Sequence, residues 1–510
     1  MKSAIGGCVE GQCNLGLCYL NGNGTVKNDR KAFEWYMTSA VGGYAMAQNY
    51  VGNCYLYGKG VTKNETSAFE WYMKSAHAGC AEGQCNLGNF YFYTIKNNEK
   101  AFEWYTKSAN GGHAMAQTYL GNCYRYGKGT DKNEIKALEW YMKSAVAGCA
   151  EGQCNLGDFY NYGIGIEKNE VTAFEWYMKS AIGGYAIAQN HVGNCYHHGK
   201  GTDKNETKAF EWYMKSAVGC AEGQCNLGDF YYYGIGIEKN EVIAFGWYMT
   251  SAAGGYAIAQ NHVGNCYLYG KGVTKNETSA FEWYKKSAIG GCAEGQCNLG
   301  VCYLNGNGTV KNFKQAFEWY EISAVGGYAM AQNYTGDCYQ YGIGINRDET
   351  KAFEWYTKSA VAGCAQGQFN LGVYYEVGIG TDKDEAKAFE WYMKSAFNGH
   401  AMSQNYVGNF YRYGKGTDKN ETQAFEWYKK SAIGGCAEGQ CNLGFCYAYG
   451  IGTDKNETNA FKWYLKSAKN GVVTAQNYIG KCYYYGSGTD RDVDKAMDWY
   501  KTALCNGFKE

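Results

Sequence analysis

The sequence predicts an all-α protein, a right-handed α/α superhelical solenoid of about 14 antiparallel helix pairs of 36 residues each. All 14 tryptophans occupy one position of a repeating unit, and successive ones, such as Trp35 and Trp71, lie 36 residues apart with two exceptions. Apolar residues within the unit follow the helical period twice. The chain has no proline, so its 71 glycines provide most of the breaks between helices.

The first helix of a unit is predicted over residues 45–57. Ala47, Val51 and Tyr55 recur at i, i+4 and i+8 and form one apolar stripe. Gly58 ends the helix, because glycine readily adopts the left-handed conformation of a C-cap. Gly52 lies inside the helix, where glycine costs about 1 kcal/mol relative to alanine. We therefore expect another helix to pack too closely there for a methyl group.

The second helix is predicted to begin after Asn64, a favourable N-cap residue. Ala68, Trp71, Tyr72 and Ser75 follow at i, i+3, i+4 and i+7 and form a core-facing surface. The tryptophan is expected to be the large ring that packs over small residues, so its replacement by alanine should cost roughly 3–5 kcal/mol.

Two units are shorter than the others. The step from Trp71 to Trp104 is 33 residues, and the step from Trp212 to Trp247 is 35. We expect both deletions to fall between helices, where insertions and deletions cost least.

The units alternate between two forms and give a 72-residue superperiod. The Cys form reads Cys-Ala-Glu-Gly-Gln-Cys-Asn-Leu-Gly at residues 149–157, and the Tyr form reads Tyr-Ala-Met-Ala-Gln-Asn-Tyr-Val-Gly at residues 44–52. Duplication of a two-unit block explains the alternation, and so does better stacking of unlike faces. The sequence leaves both explanations open.

One unit carries the run from Leu156 to Tyr160, then Gly163-Ile164-Gly165, then the run from Ala173 to Ala181 around Trp176. These motifs resemble the Sel1-like repeat family over essentially the whole chain, with Ser180 where that family has alanine. The resemblance implies a superhelix of antiparallel helix pairs like that of tetratricopeptide repeats. It also implies a scaffold or adaptor role and frequent fusion to signalling domains such as protein kinases.

The composition excludes several classes of function. The chain has 48 basic and 48 acidic residues, which argues against nucleic acid as a partner, and no apolar run is long enough for a membrane span. No repeated pattern of catalytic residues is present, so no enzyme and no cofactor are expected. His191, Cys195 and His198 share one helix but offer only three ligands, which does not predict a metal site. A hydrolase, as suggested for cysteine-rich relatives, is the weaker alternative.

The 23 cysteines bear on localisation. The commonest spacing is five, as in Cys80 and Cys85, which suits neither a local disulfide nor a zinc site. Buried free thiols in a reducing, cytoplasmic environment are therefore predicted. The alternative is an adaptor in the lumen of the endoplasmic reticulum, because eight glycosylation sequons occur. They are Asn23, Asn64, Asn205, Asn276, Asn307, Asn333, Asn420 and Asn456.

The leading functional prediction is a scaffold or adaptor, in signalling or complex assembly, that binds a protein or an extended peptide. In stacked helix pairs the first helices line the concave face. Counted from the first residue of the first helix, positions nine and twelve share a face and vary between units, as expected of a recognition groove. An exposed, drifting face is the alternative. The candidate residues are Asn53, Asp158, Asp229 and Asp337 at position nine, and Leu56, Phe92, Arg125, Asn161, His197, Tyr232, Gln340, Glu376, Arg412 and Tyr484 at position twelve.

Asparagines recur at positions five and six of the first helix, as in Asn155 and Asn190. Such a row could hydrogen-bond the backbone of a bound peptide. The competing interpretation is hydrogen bonding between the first helices of neighbouring units.

The whole of residues 1–510 is predicted to be a single solenoid domain. Residues 1–4, Met-Lys-Ser-Ala, match the end of a second helix, so an upstream segment is expected, and the chain would then be the recruitment tail of a larger signalling protein such as a kinase. Neither end carries a polar capping helix, which leaves end-to-end self-association open.

Overall fold

A computed structural model describes residues 2–508 and contains two compact units, Met1–Ser251 and Ala252–Glu510. Within each unit the chain runs as consecutive helix pairs, and the described residues form no β-strand. The predicted all-α solenoid of helix pairs is therefore confirmed. The single domain over 1–510 remains a prediction.

The first helices begin at position one of each repeat and end before a glycine in nearly every case. They are Val9–Asn21, Ala45–Tyr57, Ala81–Asn89, Ala114–Tyr126, Ala150–Tyr162, Ala186–His198, Ala221–Tyr233, Ala257–Tyr269, Ala293–Asn305, Ala329–Tyr341, Ala365–Val377, Ala401–Tyr413, Ala437–Tyr449 and Val473–Tyr485.

The second helices follow after a short loop. They are Asp29–Val41, Glu65–His77, Asn98–Asn110, Glu134–Val146, Glu170–Ile182, Glu206–Ser216, Glu241–Ala253, Glu277–Ile289, Phe313–Val325, Glu349–Val361, Glu385–Phe397, Glu421–Ile433, Glu457–Lys469 and Val493–Cys505. The short helix Lys2–Ile5 precedes the first full pair.

The helix ends are fixed by the residues that the sequence indicated. The Asn64 side chain accepts a hydrogen bond from the Ser67 amide, and Gly58 closes the first helix in the left-handed conformation with a φ of 67°. Asn205, Asn276, Asn420 and Asn456 cap their helices in the same way. Five of the eight sequon asparagines therefore have a structural role at a helix start, and a sixth, Asn333, is buried.

Two polar side chains join consecutive helices. Gln48 Nε2 donates to the Ala40 carbonyl at the end of the preceding second helix, at 3.3 Å. Ser75, fully buried, donates to the Ala45 carbonyl in the first helix of its own repeat at 2.7 Å. Both bonds recur along the chain and satisfy polar groups where consecutive helices meet. The serine that departs from the resembled motif is thus a regular part of the packing.

The side chain that packs against the mid-helix glycine belongs to a tyrosine of the second helix. A Cβ on Gly52 would lie 2.6 Å from Cδ1 of the Tyr72 ring, which confirms the predicted close approach. Tyr72 is 1% exposed, whereas Trp71 is only half-buried, with the Lys74 ammonium group 4.1 Å from its ring centre. The ring over the glycine is therefore the tyrosine that follows the predicted tryptophan, although Trp104 and Trp427 are buried in the core as well.

The two deletions alter helix ends as well as loops. After Ala81–Asn89 the chain forms a π-helical turn, Phe90–Ile95, and Lys96 takes the left-handed conformation with a φ of 58° where other repeats have glycine. The helix Glu206–Ser216 ends two residues early. The expectation that both deletions fall between helices was therefore too simple, because the helix termini absorb the missing residues.

Across residues 2–508, every helix is either too short or too polar to cross a bilayer.

Candidate binding surface on the first helices

Consecutive first helices meet in two kinds of junction, which follow the two sequence forms. At a closed junction a Tyr-form first helix is followed by a Cys-form one. There Asn86 Nδ2 donates to Asn49 Oδ1 at 2.8 Å, and the same asparagine pair recurs at four further closed junctions. The first helices approach each other closely at these junctions. At these junctions the asparagines therefore form hydrogen bonds between the first helices of neighbouring units, which was the competing interpretation of the sequence.

At an open junction a Cys-form first helix is followed by a Tyr-form one. Position six then holds an aromatic residue in place of asparagine, and its ring packs on the second-helix tyrosine of the preceding repeat. Tyr119 lies 5.3 Å from Tyr105 between ring centres. Tyr50 with Tyr36, His191 with Tyr177, Tyr334 with Tyr320, Tyr406 with Tyr392 and Tyr478 with Tyr464 repeat this contact. The aromatic wedge holds the two first helices further apart, so the alternation of sequence has a structural consequence.

Cavities open beside these wedges. One of 310 Å³ is lined by Tyr93, Tyr105, Tyr119 and Tyr126, together with Lys128 and Glu151. A second, of 260 Å³, is lined by Tyr449, Tyr464, Tyr478 and Tyr485. A third, of 550 Å³, extends from Glu376 and Tyr406 at an open junction past Tyr413 to Asn405 and Asn442 at the next closed junction. Such concave sites with aromatic walls and a few charges are suited to hold side chains of a ligand.

The walls of these cavities include exposed tyrosines that the sequence analysis missed. They occupy position thirteen counted from the start of the first helix, and Tyr126 is 59% and Tyr485 72% exposed. The other members are Tyr57, Tyr93, Tyr162, Tyr233, Tyr269, Tyr341, Tyr413 and Tyr449. Because position thirteen is tyrosine in ten of the fourteen repeats, a search for variable positions could not find it. Its aromatic type at a helix end was the available signal.

The predicted residues at position nine are engaged inside the fold. Tyr72 donates its hydroxyl hydrogen bond to Asn53 at 2.7 Å, and Tyr177, Tyr248 and Tyr356 do the same to Asp158, Asp229 and Asp337. Burial raises the pKa of Asp337. Position nine therefore serves the core of its own repeat, and a role in binding remains a prediction.

At position twelve of the Tyr form, most predicted residues face a closed junction. The Arg125 guanidinium lies 5.4 Å from the Phe159 ring and 3.8 Å from Asp158, and Arg412 lies 4.3 Å from the Phe445 ring. Leu56 packs in the core cluster, His197 contacts Phe230, Gln340 accepts from Tyr356, and Tyr484 contacts Arg491.

At position twelve of the Cys form, the predicted residues lie beside open junctions. Phe92 lines the 310 Å³ cavity, and Glu376 lines the 550 Å³ cavity. Glu376 also accepts from the Tyr392 hydroxyl at 2.8 Å and pairs with Lys415 at 3.4 Å. Asn161 and Tyr232 are half-buried. Of the predicted residues at positions nine and twelve, those at position twelve of the Cys form are thus the ones that border these cavities.

Two charged residues, Glu151 and Lys128, line the 310 Å³ cavity. Burial raises the pKa of Glu151, while its hydrogen bond with Asn122 acts in the opposite direction. Lys128 supplies a cation beside it. This cavity therefore offers one donor and one acceptor group between tyrosine rings.

The cysteines contribute to packing. Cys85 is an unbridged thiol, 2% exposed, and burial raises its pKa to about 12. A thiol with so high a pKa is a poor nucleophile. His191, Cys195 and His198 have separate surroundings, since His191 stacks on Tyr177, Cys195 is buried and His198 is exposed against His197.

The Sel1 repeat family matches fourteen consecutive segments of the chain. These are residues 9–40, 45–80, 81–113, 114–149, 150–185, 186–217, 221–256, 257–292, 293–328, 329–364, 365–400, 401–436, 437–472 and 473–508.

Solved structures of similar proteins include a protective antigen of uropathogenic Escherichia coli with an SLR fold. The chain is 29% identical to it, with 94% of this chain and 98% of the antigen covered and a TM-score of 0.56. A Sel1 repeat protein from Oxalobacter formigenes is 24% identical over 60% of this chain and 89% of its own, with a TM-score of 0.43. An immunity protein from Pseudomonas aeruginosa is 19% identical over 41% and 81%, with a TM-score of 0.32. No curated protein matches the chain.

Proposed function

The chain belongs to the Sel1 repeat family, and from that premise we propose that it is a protein-binding scaffold whose open junctions take side chains of an extended peptide. The observation that carries this proposal is the row of exposed tyrosines that border the cavities, such as Tyr93 and Tyr126. Tyrosine rings are rigid and amphipathic, and they are enriched among residues that dominate protein interfaces.

The spacing of the cavities favours an extended ligand. Open junctions recur once in every two repeats within each compact unit, and at each one an aromatic residue of a first helix packs on the second-helix tyrosine of the preceding repeat. A peptide that lies across the first helices would place separated anchor side chains into separate cavities. Such multiple anchors raise affinity without a large continuous interface.

The role that we assign is binding in complex assembly or signalling, without catalysis. The thiols of Cys85 and Cys154 are buried and unbridged, and burial raises the pKa of each, so they support a reducing, cytoplasmic location. At the 550 Å³ cavity, Glu376 pairs with Lys415 and accepts a hydrogen bond from the Tyr392 hydroxyl, and groups of this kind suit recognition.

The test uses the full chain and a peptide selected on it from a displayed library. Replacement of both Tyr93 and Tyr126 by serine should weaken binding of that peptide by about 30-fold if they form a hot spot of about 2 kcal/mol. Val146→Ser is the matched control, because Val146 is 81% exposed at the end of a second helix, away from the cavities.

Circular dichroism should show equal helix content in all variants, since the three side chains are exposed. Equal binding by the tyrosine variants of every selected peptide would contradict the proposal, as would a library that yields no binder.

A further inference from the structure

The cavity between the first helices Ala437–Tyr449 and Val473–Tyr485 differs from the others in its polar groups. Its volume is 260 Å³, and Tyr449, Tyr478 and Tyr485 provide aromatic walls. Tyr449 and Tyr485 are 62% and 72% exposed, so the cavity is open to solvent. A ligand side chain can therefore enter it without rearrangement of the backbone.

Tyr464 lines this cavity, and its hydroxyl oxygen is buried and has no partner in the fold. Its side chain is 2% exposed, and its oxygen makes no hydrogen bond, because position nine of that repeat is Phe445. Burial raises the pKa of Tyr464, so the hydroxyl stays protonated and remains a donor. A buried donor without an acceptor costs free energy, which a bound acceptor would recover.

Lys481 supplies the only cation at position nine of a Tyr-form repeat in the chain. The same position holds Asn53, Asn122, Asn194, Asn265, Asp337 and Asn409 in the other Tyr-form repeats. Lys481 is exposed and lines the cavity, with its ammonium group 5.8 Å from the Tyr478 ring centre. Lys455 and Glu457, the other charged residues of the lining, pair with each other at 2.8 Å. The lining therefore carries a net charge of one positive unit.

We propose that this cavity binds the carboxylate of an acidic side chain, with the Tyr464 hydroxyl and the Lys481 ammonium group as donors and the tyrosine rings against its methylene groups. The proposal rests on the protein-binding function above and names the residue type that the partner presents at this junction. A carboxylate can accept both hydrogen bonds at once, and charge-assisted bonds of this kind are the stronger ones.

The cavity beside Tyr105 shows why this preference is local. The Tyr105 hydroxyl already donates to Asn89 at 2.8 Å, and Glu151 places a carboxyl group in that lining. An acidic side chain would meet an occupied donor there, and the charges of Lys128 and Glu151 cancel in that lining. The two cavities thus provide an internal comparison within one chain.

The experiment is calorimetric titration of the full chain with N-acetyl-tetraglutamate amide, N-acetyl-tetraglutamine amide and inorganic phosphate at low ionic strength. We expect the glutamate peptide to bind about tenfold more tightly than the glutamine peptide, and Tyr464→Phe and Lys481→Gln each to remove about tenfold of its affinity.

The matched control is Tyr320→Phe, because the Tyr320 hydroxyl is also buried without a partner, but position nine of the following first helix is Asp337 where the repeat after Tyr464 has Lys481. That variant should leave the affinity for the glutamate peptide unchanged. Tyr464→Phe should also retain the helix content and amide protection of the parent, since its hydroxyl bonds nothing in the fold.

Equal affinity for the two peptides, or no loss in either cavity variant, would overturn the proposal. Binding of phosphate without binding of the glutamate peptide would overturn it as well, since the site would then take a free anion. These results leave the proposed function intact if the library-selected peptide still depends on Tyr93 and Tyr126. If the glutamate peptide binds as expected but no selected peptide depends on Tyr93 and Tyr126, the proposed function is contradicted and the acidic site is not.

Discussion

The ring of Tyr72 lies against the α-carbon of Gly52, where a Cβ would stand 2.6 Å from the ring atom Cδ1. The same contact joins a first-helix glycine to a second-helix tyrosine in every repeat of the described chain. The glycine lowers helix propensity by about 1 kcal/mol relative to alanine. The buried ring offsets this loss because it fills the space that the absent methyl group leaves.

Gly52→Ala should therefore loosen its helix pair. Overpacking typically costs about 1–3 kcal/mol, which exceeds the gain of about 1 kcal/mol in helix propensity. Amide hydrogen exchange of residues 45–77 is the suitable measurement, because a long repeat array has no single unfolding transition. We expect faster exchange in this segment.

The matched control is Gly246→Ala in the second helix Glu241–Ala253, where a Cβ would meet nothing within 4 Å. That change should slow exchange by an amount that corresponds to about 0.5–1 kcal/mol. Equal effects of the two substitutions would show that the ring contact carries no energetic weight.

Tyr72→Phe should destabilise its repeat, whereas Tyr320→Phe should not. The Tyr72 hydroxyl donates to Asn53 at 2.7 Å, so its removal leaves a half-buried acceptor unpaired at a cost of about 1 kcal/mol. The Tyr320 hydroxyl has no partner, because position nine of its repeat is Val301. Local amide exchange in the two repeats measures the difference, and a loss of protection on removal of the Tyr320 hydroxyl would contradict the assignment.

The sequence predicted the helices and their caps well, because short-range rules fix both. The first helix Ala45–Tyr57 and the cap at Asn64 lie where periodicity and capping preferences placed them. The choice between Trp71 and Tyr72 as the core ring could not be made in this way. Adjacent residues on a helix differ by 100° in direction, and the packing of the next helix decides which of them is enclosed.

The candidate surface was harder to predict, because variation within the chain does not distinguish exposed from paired residues. Arg125 and Asp158 both vary between repeats, yet they lie 3.8 Å apart and face each other across a closed junction. Tyr126 occupies a position that is tyrosine in most repeats, and it is exposed beside a cavity. The difference between open and closed junctions depends on contacts 36 or 37 residues apart, such as that of Asn190 with Asn226, which local sequence rules do not contain.

Asn86→Ala should loosen a closed junction. The Asn86 amide donates to Asn49 at 2.8 Å, and Asn49 is fully buried, so its oxygen would lose its partner at a cost of about 1 kcal/mol or more. Asn155 is the matched control, because it occupies the same position of a Cys-form helix but position five of the preceding first helix is Thr118 in place of the partner asparagine.

Native-state hydrogen exchange of the first helices Ala45–Tyr57 and Ala81–Asn89 should show the loss in the first variant. Asn155→Ala should leave the helices around it almost as protected as before. If both substitutions have the same effect, the asparagine pair is not what holds closed junctions together.

The helix Ala401–Tyr413 should lose stability as the pH falls below about 6.5, because its N-cap is His400. The His400 Nδ1 atom accepts a hydrogen bond from the Ser403 amide at 3.4 Å, and a protonated ring can no longer accept it. An imidazolium at a helix N-terminus is also repelled by the helix dipole. Burial lowers the pKa of His400 from its ordinary value of 6.5, so the unfolded chain takes up the proton first as the pH falls. Stability is then lost from about pH 6.5 down to the folded-state pKa and is unaffected by this group at higher pH.

Amide exchange at pH 7.5 and pH 5.5, corrected for intrinsic rates, measures the change, and His400→Asn keeps a capping side chain that does not titrate. A parent chain and a variant that respond equally to pH would refute the role of His400.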